Sequence, residues 1–146
     1  KPGFYESHLF DENFLLVRNA KQKGVKIPDP VELINHNLLL LEEGHCFRDQ
    51  AISFCGVTER FSRQRFDASS FTTLVHMVSA ELGVTLIPEM ARKLETLSSE
   101  VIIDQFPNPS PKRSIGVVWR ETSPISSELV DITSAWKKVL PLANKK

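Results

Sequence analysis

The residues with the clearest capacity for chemistry are two cysteines. Cys46 and Cys55 are the only two in 146 residues, and they lie nine positions apart in the segment "LEEGHCFRDQAISFC". Residues 46–55 are predicted to form a short helix, in which nine residues rise about 13.5 Å. A disulfide needs its two Cα atoms within roughly 7 Å. The pair therefore cannot bond while the helix is intact, and any disulfide would require this segment to unwind.

The two thiols are expected to differ in reactivity. Rotation of about 100° per residue places Cys55 on an apolar face of the helix and Cys46 at the start of a polar face. A thiol at a helix N-terminus meets unpaired backbone N–H groups and the positive end of the helix dipole, which favour the thiolate. His45 and Arg48 would add positive charge beside it. We therefore expect Cys46 to be the reactive thiol and a buried Cys55 to stay protonated.

Three other interpretations of the pair remain open at this point. A structural disulfide is disfavoured by the spacing, and so few cysteines suit a reducing compartment, which favours a cytoplasmic protein. A metal site needs three or four ligands, and the histidines show no characteristic spacing, so we expect no metal and no cofactor. Two unrelated core cysteines are the third possibility, because free cysteine is among the most buried residue types.

Composition excludes several classes of function. The chain is 41% hydrophobic and 25% charged, with 18 basic and 18 acidic residues, and no basic run longer than Lys145 and Lys146. This balance is typical of a folded globular chain without a nucleic-acid-binding patch. Apolar runs are far shorter than the roughly 20 residues of a membrane span. The first residue is Lys1 and not Met, so we expect a fragment of a longer chain.

Strands and helices are predicted to alternate along the sequence. Hydrophobic runs and turn residues predict strands at 14–17, 38–41, 61–68, 84–88, 100–106 and 114–121. Helices are predicted at 30–36, 46–55, 71–82, 88–94 and 125–139. Ser69 or Ser70 is expected to cap the third helix, and Gly83 to end it. This order predicts an α/β fold in three layers with crossover connections.

Two proline-rich connectors, at residues 28–30 and 107–111, divide the sequence. We predict that residues 31–106 form one compact lobe that carries both cysteines. Residues 1–30 and 107–146 are predicted to fold together as part of another lobe.

The cysteine segment resembles a known family. "GHCFRDQAISFC", preceded by "LLLLEE", resembles the peroxide-sensing segment of OxyR-type proteins, a group of LysR-type transcriptional regulators. "ASSFTTLVHMVSAELGVTLIPEMA" and "KRSIGVVWR" resemble other parts of LysR-type effector domains, so the resemblance spans nearly the whole chain. It implies a two-lobed, periplasmic-binding-protein-like α/β domain of mixed sheets flanked by helices, with its first lobe incomplete.

The resemblance also implies roles for the two cysteines. Cys46 would be the thiol that hydrogen peroxide oxidises to a sulfenic acid, and Cys55 the thiol that resolves it to a disulfide. Remodelling of the helix would alter packing in a homodimer or homotetramer. DNA would be bound by an N-terminal helix-turn-helix domain that has no counterpart in this sequence, with RNA polymerase as a further possible partner.

Four polar residues match the family's neighbours of the reactive cysteine. His45 would hydrogen-bond near the peroxide, Arg48 would stabilise the thiolate and the leaving oxygen, and Asp49 would orient the arginine. Arg113, in "KRSIGVVWR", would approach the site from the strand that returns to the first lobe. Its alternative is a solvated loop arginine.

These inferences predict a regulatory domain and not an enzyme. The domain would respond to hydrogen peroxide and control transcription of oxidative-stress genes. Two alternatives remain. One is a LysR-type domain that binds a small organic effector between its lobes, and the other is a thiol peroxidase, which would need rapid regeneration of its thiol.

Overall fold

The computed structural model describes residues 3–56, 67–95 and 100–143. The chain divides into two compact units, a larger one of residues 13–111 and a smaller one of residues 1–12 and 112–146. The structural boundary after Glu12 lies before the predicted boundary at residue 30, because one long strand continues from the smaller unit into the larger one. The assignment of these units to the lobes of an effector domain stays a prediction.

The described residues contain six strands. They are β1 (Phe4–Asn19), β2 (Leu38–Leu41), β3 (Asp67–Ala68), β4 (Val84–Pro88), β5 (Val101–Gln105) and β6 (Lys112–Arg120). Each predicted strand position holds a strand, although most of the strand expected at residues 61–68 lies outside the described residues. Hydrophobic runs were a sufficient signal for β2, β4 and the second half of β1, because these strand segments are buried on both faces.

The helices also follow the predicted order. They are α1 (Cys46–Phe54), α2 (Phe71–Ser79), α3 (Arg92–Glu95) and α4 (Ser126–Ala143), with 3-10 turns at Ala20–Gln22, Pro30–His36 and Glu89–Ala91. Asp29 precedes the second 3-10 turn, and its backbone N–H donates to the Glu32 side chain at 3.0 Å. Ser70 caps α2, where its Oγ accepts from the backbone N–H of Thr73 at 3.2 Å. The second 3-10 turn and α2 therefore begin where a local side-chain cap satisfies the backbone.

The larger unit is built on a mixed sheet with strand order β3-β2-β4-β1-β5. β2 is parallel to β3 and to β4, whereas β1 is antiparallel to β4 and to β5. The predicted mixed α/β architecture is confirmed. α1 begins five residues after β2 ends, so Cys46 lies close in sequence to the carboxyl end of the parallel strands.

The hydrophobic core of the larger unit lies on both faces of this sheet. All four leucines of β2 are at most 6% exposed, as expected for a strand covered on both faces. Phe14 to Val17 of β1 are at most 2% exposed. Helix α1 adds Phe47 and Ala51 to the same core, and α2 adds Leu74, Val75 and Val78.

The end of α2 differs from the prediction. The helix ends at Ser79, so the expected positions Leu82 and Gly83 lie beyond it. Leu82 is 43% exposed and does not continue the buried stripe. Gly83 serves a different purpose, because a Cβ atom there would lie 2.0 Å from the backbone oxygen of Asn37. Glycine is needed for close approach of two backbones and not as a helix cap.

The smaller unit pairs β6 with β1. Tyr5 stacks on Trp119 with ring centroids 4.6 Å apart, and the indole Nε1 of Trp119 donates to Ser126 Oγ at 2.9 Å. Three large apolar residues of α4 are 45 to 62% exposed, namely Ile132, Trp136 and Val139. No helix in the described ranges is long and apolar enough to cross a membrane.

Candidate redox site

The two cysteines occupy opposite ends of α1. Cys46 is the first residue of the helix and is exposed, whereas Cys55 directly follows its last residue and is only 2% exposed. Both are free thiols in this structure. The predicted separation into an exposed thiol and a buried thiol is confirmed.

The start of α1 is weakly capped. Gly44 adopts a φ of 95° between β2 and the helix, a conformation that glycine tolerates readily. His45 occupies the N-cap position, and its side chain makes no capping hydrogen bond. Its backbone oxygen accepts from the N–H of Arg48 at 2.9 Å. The side chain that precedes Cys46 therefore does not cap the first turn of α1.

Cys55 lies within the hydrophobic core of the larger unit. Burial raises the pKa of its thiol from the ordinary value of 9.0 to about 12. Cys55 is therefore protonated at neutral pH and is a poor nucleophile where it lies. It must leave the core before it can react with an exposed sulfur atom.

Aromatic side chains hold α1 against the sheet and α2. Phe47 contacts Phe14 of β1 and Phe71 of α2, in both cases edge to face, with centroids 5.1 and 5.0 Å apart. Phe54 makes a similar contact with Phe14 at 5.8 Å. These contacts oppose movement of the helix, so its stability comes from tertiary packing and not from its cap.

Arg48 points into the protein and is 4% exposed. Its Nη1 donates to the backbone oxygen of Leu41 at 2.5 Å and lies 2.9 Å from Oδ1 of Asp67. The resemblance implied Asp49 as the partner of this arginine, but the structure gives that place to Asp67. Asp49 is exposed and has no hydrogen-bond or ion-pair partner within the described ranges. The expected roles of His45 and Arg48 beside the peroxide stay predictions.

Arg113 belongs to β6 of the smaller unit. Its Nε donates to Oε2 of Glu12 at 2.7 Å, and Glu12 is 3% exposed. Arg113 is therefore a strand residue with a buried carboxylate partner and not a solvated loop residue. Since Arg113 and Cys46 belong to different units, the role of Arg113 beside the cysteine stays a prediction.

The profile of the LysR substrate binding domain family matches residues 1–134. This chain belongs to that family. Its described residues include no group of three His, Cys, Asp or Glu side chains arranged to hold a metal ion.

Two curated relatives have nearly equal similarity to this chain. The DNA-binding transcriptional dual regulator OxyR of Escherichia coli (strain K12) is 37% identical over 138 residues, which cover 91% of this chain and 44% of that protein. The HTH-type transcriptional regulator EstR of Acinetobacter baylyi is 36% identical over 140 residues, which cover 94% of this chain and 46% of that protein. The chain thus spans less than half the length of these relatives, which are regulators and not enzymes.

Solved structures give the same fold. A cysteine-to-serine mutant of Corynebacterium glutamicum OxyR with H2O2 bound matches 99% of this chain and 47% of its own, at a TM-score of 0.86 and 28% identity. The reduced OxyR regulatory domain of Pseudomonas aeruginosa matches 94% of this chain and 67% of its own, at a TM-score of 0.76 and 28% identity. The predicted LysR-type fold class and the resemblance to OxyR are confirmed.

Asp67 is the residue of this LysR-type site that sequence reasoning missed. It was assigned to a strand, which is correct for Asp67–Ala68, but its ionic partner was not foreseen. The parallel pairing of Leu40 with Asp67 brings the carboxylate to β2. Strand pairing is a long-range property, so the local sequence contained no signal for this contact.

Proposed function

We propose that this chain is the hydrogen-peroxide-sensing regulatory domain of a LysR-type transcription activator. The observation that carries the proposal is the contrast between an exposed Cys46 at the start of α1 and a buried Cys55 at its end. The similarity to OxyR proteins supports peroxide as the stimulus.

The chemistry requires two steps. The Cys46 thiolate attacks one oxygen of hydrogen peroxide, the O–O bond breaks, and protonation of the departing oxygen yields water and a sulfenic acid on Cys46. The Cys55 thiol then attacks that sulfur, its proton leaves with the hydroxyl group as a second water, and the disulfide forms. Two thiols are oxidised and one peroxide is reduced. A position at a helix N-terminus favours the first step because backbone N–H groups stabilise negative charge on sulfur.

The second step requires a change of conformation. An intact helix separates the two Cα atoms by about 13.5 Å along its axis alone, against the roughly 7 Å that a disulfide allows. Cys55 must therefore leave the core, and α1 must unwind at least in part. The weak N-cap at His45 supports this movement, and the contacts of Phe47 oppose it. The energy released on peroxide reduction would drive the change in one direction.

The change at α1 would act on the rest of the protein through its assembly. We infer that the complete protein is a homodimer or homotetramer in the cytoplasm, and that oxidation repositions DNA-binding domains outside this chain. Contact with RNA polymerase would follow at the regulated promoters. This arrangement is what the similarity to OxyR implies for this chain.

The proposal is tested on the full-length protein that carries this domain. One equivalent of hydrogen peroxide added to the reduced protein is expected to remove two free thiols per chain. Cys46→Ser should show no thiol loss, whereas Cys55→Ser should accumulate a sulfenic acid that a dimedone reagent traps. An unchanged thiol titre in the wild-type protein would contradict the proposal.

A second candidate function is the binding of a small organic effector. EstR favours it, because it is as similar to this chain as E. coli OxyR and its name does not refer to peroxide. A ligand that raises the melting temperature of Cys46→Ser as much as that of the wild-type protein would support this alternative. The two functions are therefore separated by whether the response needs Cys46.

A further inference from the structure

Arg48 is a charged residue in an apolar region. Its side chain is 5% exposed and lies in the first turn of α1, two residues after Cys46. A buried cation is stable only if it is paired and hydrogen-bonded. Asp67 supplies the charge and the Leu41 oxygen supplies the second acceptor.

The two partners of Arg48 belong to the sheet and not to α1. Leu41 is the last residue of β2, and Asp67 is the first residue of β3, which pairs with β2. Arg48 thereby ties the first turn of α1 to two neighbouring strands. The side chain of Asp67 is 30% exposed, so water can solvate it if the arginine departs.

We propose that the Arg48–Asp67 ion pair is a latch that exists in the dithiol form and is lost when the Cys46–Cys55 disulfide forms. The inference rests on the proposed function. A disulfide between residues nine apart requires the chain to reverse direction between them, and Arg48 lies inside the segment that must do so. Asp67 is then a positioning residue, which acts on the cysteines through Arg48. It sets how much oxidant is needed to form the Cys46–Cys55 disulfide.

A latch of this kind has a defined thermodynamic consequence. If an interaction is present in only one of two states, its removal shifts the equilibrium toward the other state by the full strength of that interaction. Removing the Asp67 carboxylate should therefore destabilise the dithiol form and leave the disulfide form unchanged. Removal of an ordinary structural ion pair, which is present in both forms, would destabilise both forms equally.

The experiment measures the dithiol-disulfide equilibrium of the full-length protein in glutathione buffers. Oxidised glutathione takes two electrons from Cys46 and Cys55, forming the protein disulfide and two molecules of reduced glutathione. Asp67→Asn is expected to raise the equilibrium constant for disulfide formation by about tenfold, because it leaves a buried guanidinium without its counter-charge. Asp67→Glu, which keeps the charge, should restore most of the wild-type value.

The Arg18–Asp104 pair provides a matched control in the same unit. Its side chains are 4% and 24% exposed, close to the values for Arg48 and Asp67, but it joins β1 to β5 and neither of its residues belongs to α1. Asp104→Asn should lower the urea midpoint of both redox forms equally and leave the glutathione equilibrium unchanged. Asp67→Asn should lower the midpoint of the dithiol form only.

One measurement needs no substitution. Exchange of the Arg48 guanidinium protons with water, followed by NMR, should be slow in the dithiol form of the wild-type protein and fast in the disulfide form. The latch is overturned if Asp67→Asn behaves like Asp104→Asn, or if Arg48 exchange stays slow after oxidation. Failure of the wild-type protein to form the disulfide at all would overturn the proposed function and the latch together, so the two failures are distinguishable.

Discussion

Cys46 and Cys55 end up in opposite environments although a single nine-residue helix joins them. Cys46 is exposed at the first residue of α1, and Cys55 is only 2% exposed just past its last residue. The helix therefore keeps an accessible sulfur atom and a protected sulfur atom apart while it remains folded. Its folding controls whether the two can react.

The pH dependence of stability should report the burial of Cys55. Burial raises the pKa of this thiol from 9.0 to about 12, so between these values the folded state holds a proton that the unfolded state has lost. Stability then falls as pH rises through this window, and the contribution of Cys55 is fully present below pH 9.0. We expect the free energy of unfolding of Cys46→Ser to approach that of Cys46→Ser/Cys55→Ala as pH rises. Urea unfolding at about pH 8 and about pH 10.5 measures this difference, and a pH-independent difference would show that Cys55 ionises normally.

Phe47 should be the main anchor of α1. Its ring contacts both Phe14 and Phe71 and is 6% exposed, so Phe47→Ala is expected to cost about 3 to 4 kcal/mol of unfolding free energy. Phe54→Ala is the matched control, because Phe54 is half-buried and contacts Phe14 alone among aromatic rings in the described ranges. Urea unfolding compares the two variants under reducing conditions. Equal losses would mean that the edge-to-face contacts of Phe47 do not anchor the helix.

Ser70 should stabilise α2 through its cap. Its Oγ accepts the Thr73 N–H, so Ser70→Ala is expected to cost about 1 kcal/mol. Ser69 is exposed and directly precedes it, which makes Ser69→Ala a conservative control with little expected effect. Thermal unfolding of both variants tests the assignment, and a larger loss for Ser69→Ala would place the cap one residue earlier.

Gly83 should tolerate no side chain. A Cβ atom there would lie 2.0 Å from the Asn37 backbone oxygen, so we expect Gly83→Ala to cost more than about 3 kcal/mol. Gly44→Ala is the comparison, because Gly44 has a φ of 95° but nothing within 4 Å of its Cβ position. Its cost should be limited to backbone strain of about 1 kcal/mol. Similar urea midpoints for the two variants would contradict the close approach at Asn37.

Local signals predicted the secondary structure of the site well. The leucine run of β2, the polar and apolar faces of α1 and the serine cap of α2 are all properties of a few neighbouring residues. These features can be predicted from side-chain periodicity and capping chemistry, which need no knowledge of the tertiary fold. The contrast between Cys46 and Cys55 was predictable for the same reason.

Contacts between distant segments were not predictable in this way. Leu82 continues the apolar spacing of α2, yet the helix ends at Ser79, and the Gly83 backbone lies against Asn37 beside the paired residues Leu38 and Val84. Arg48 was expected to pair with its neighbour Asp49, but the pairing of β2 with β3 brings Asp67 to it. Both outcomes depend on strand pairing, which the local sequence does not encode.

The central claim is tested most directly by the separation of the Cys46 and Cys55 sulfur atoms in the full-length protein, determined by crystallography before and after one equivalent of hydrogen peroxide. We predict two unbonded sulfur atoms at opposite ends of α1 in the reduced protein, and a bond of about 2.05 Å with α1 unwound in the oxidised protein. An oxidised Cys46 beside an intact α1, with Cys55 still in the core, would contradict the account.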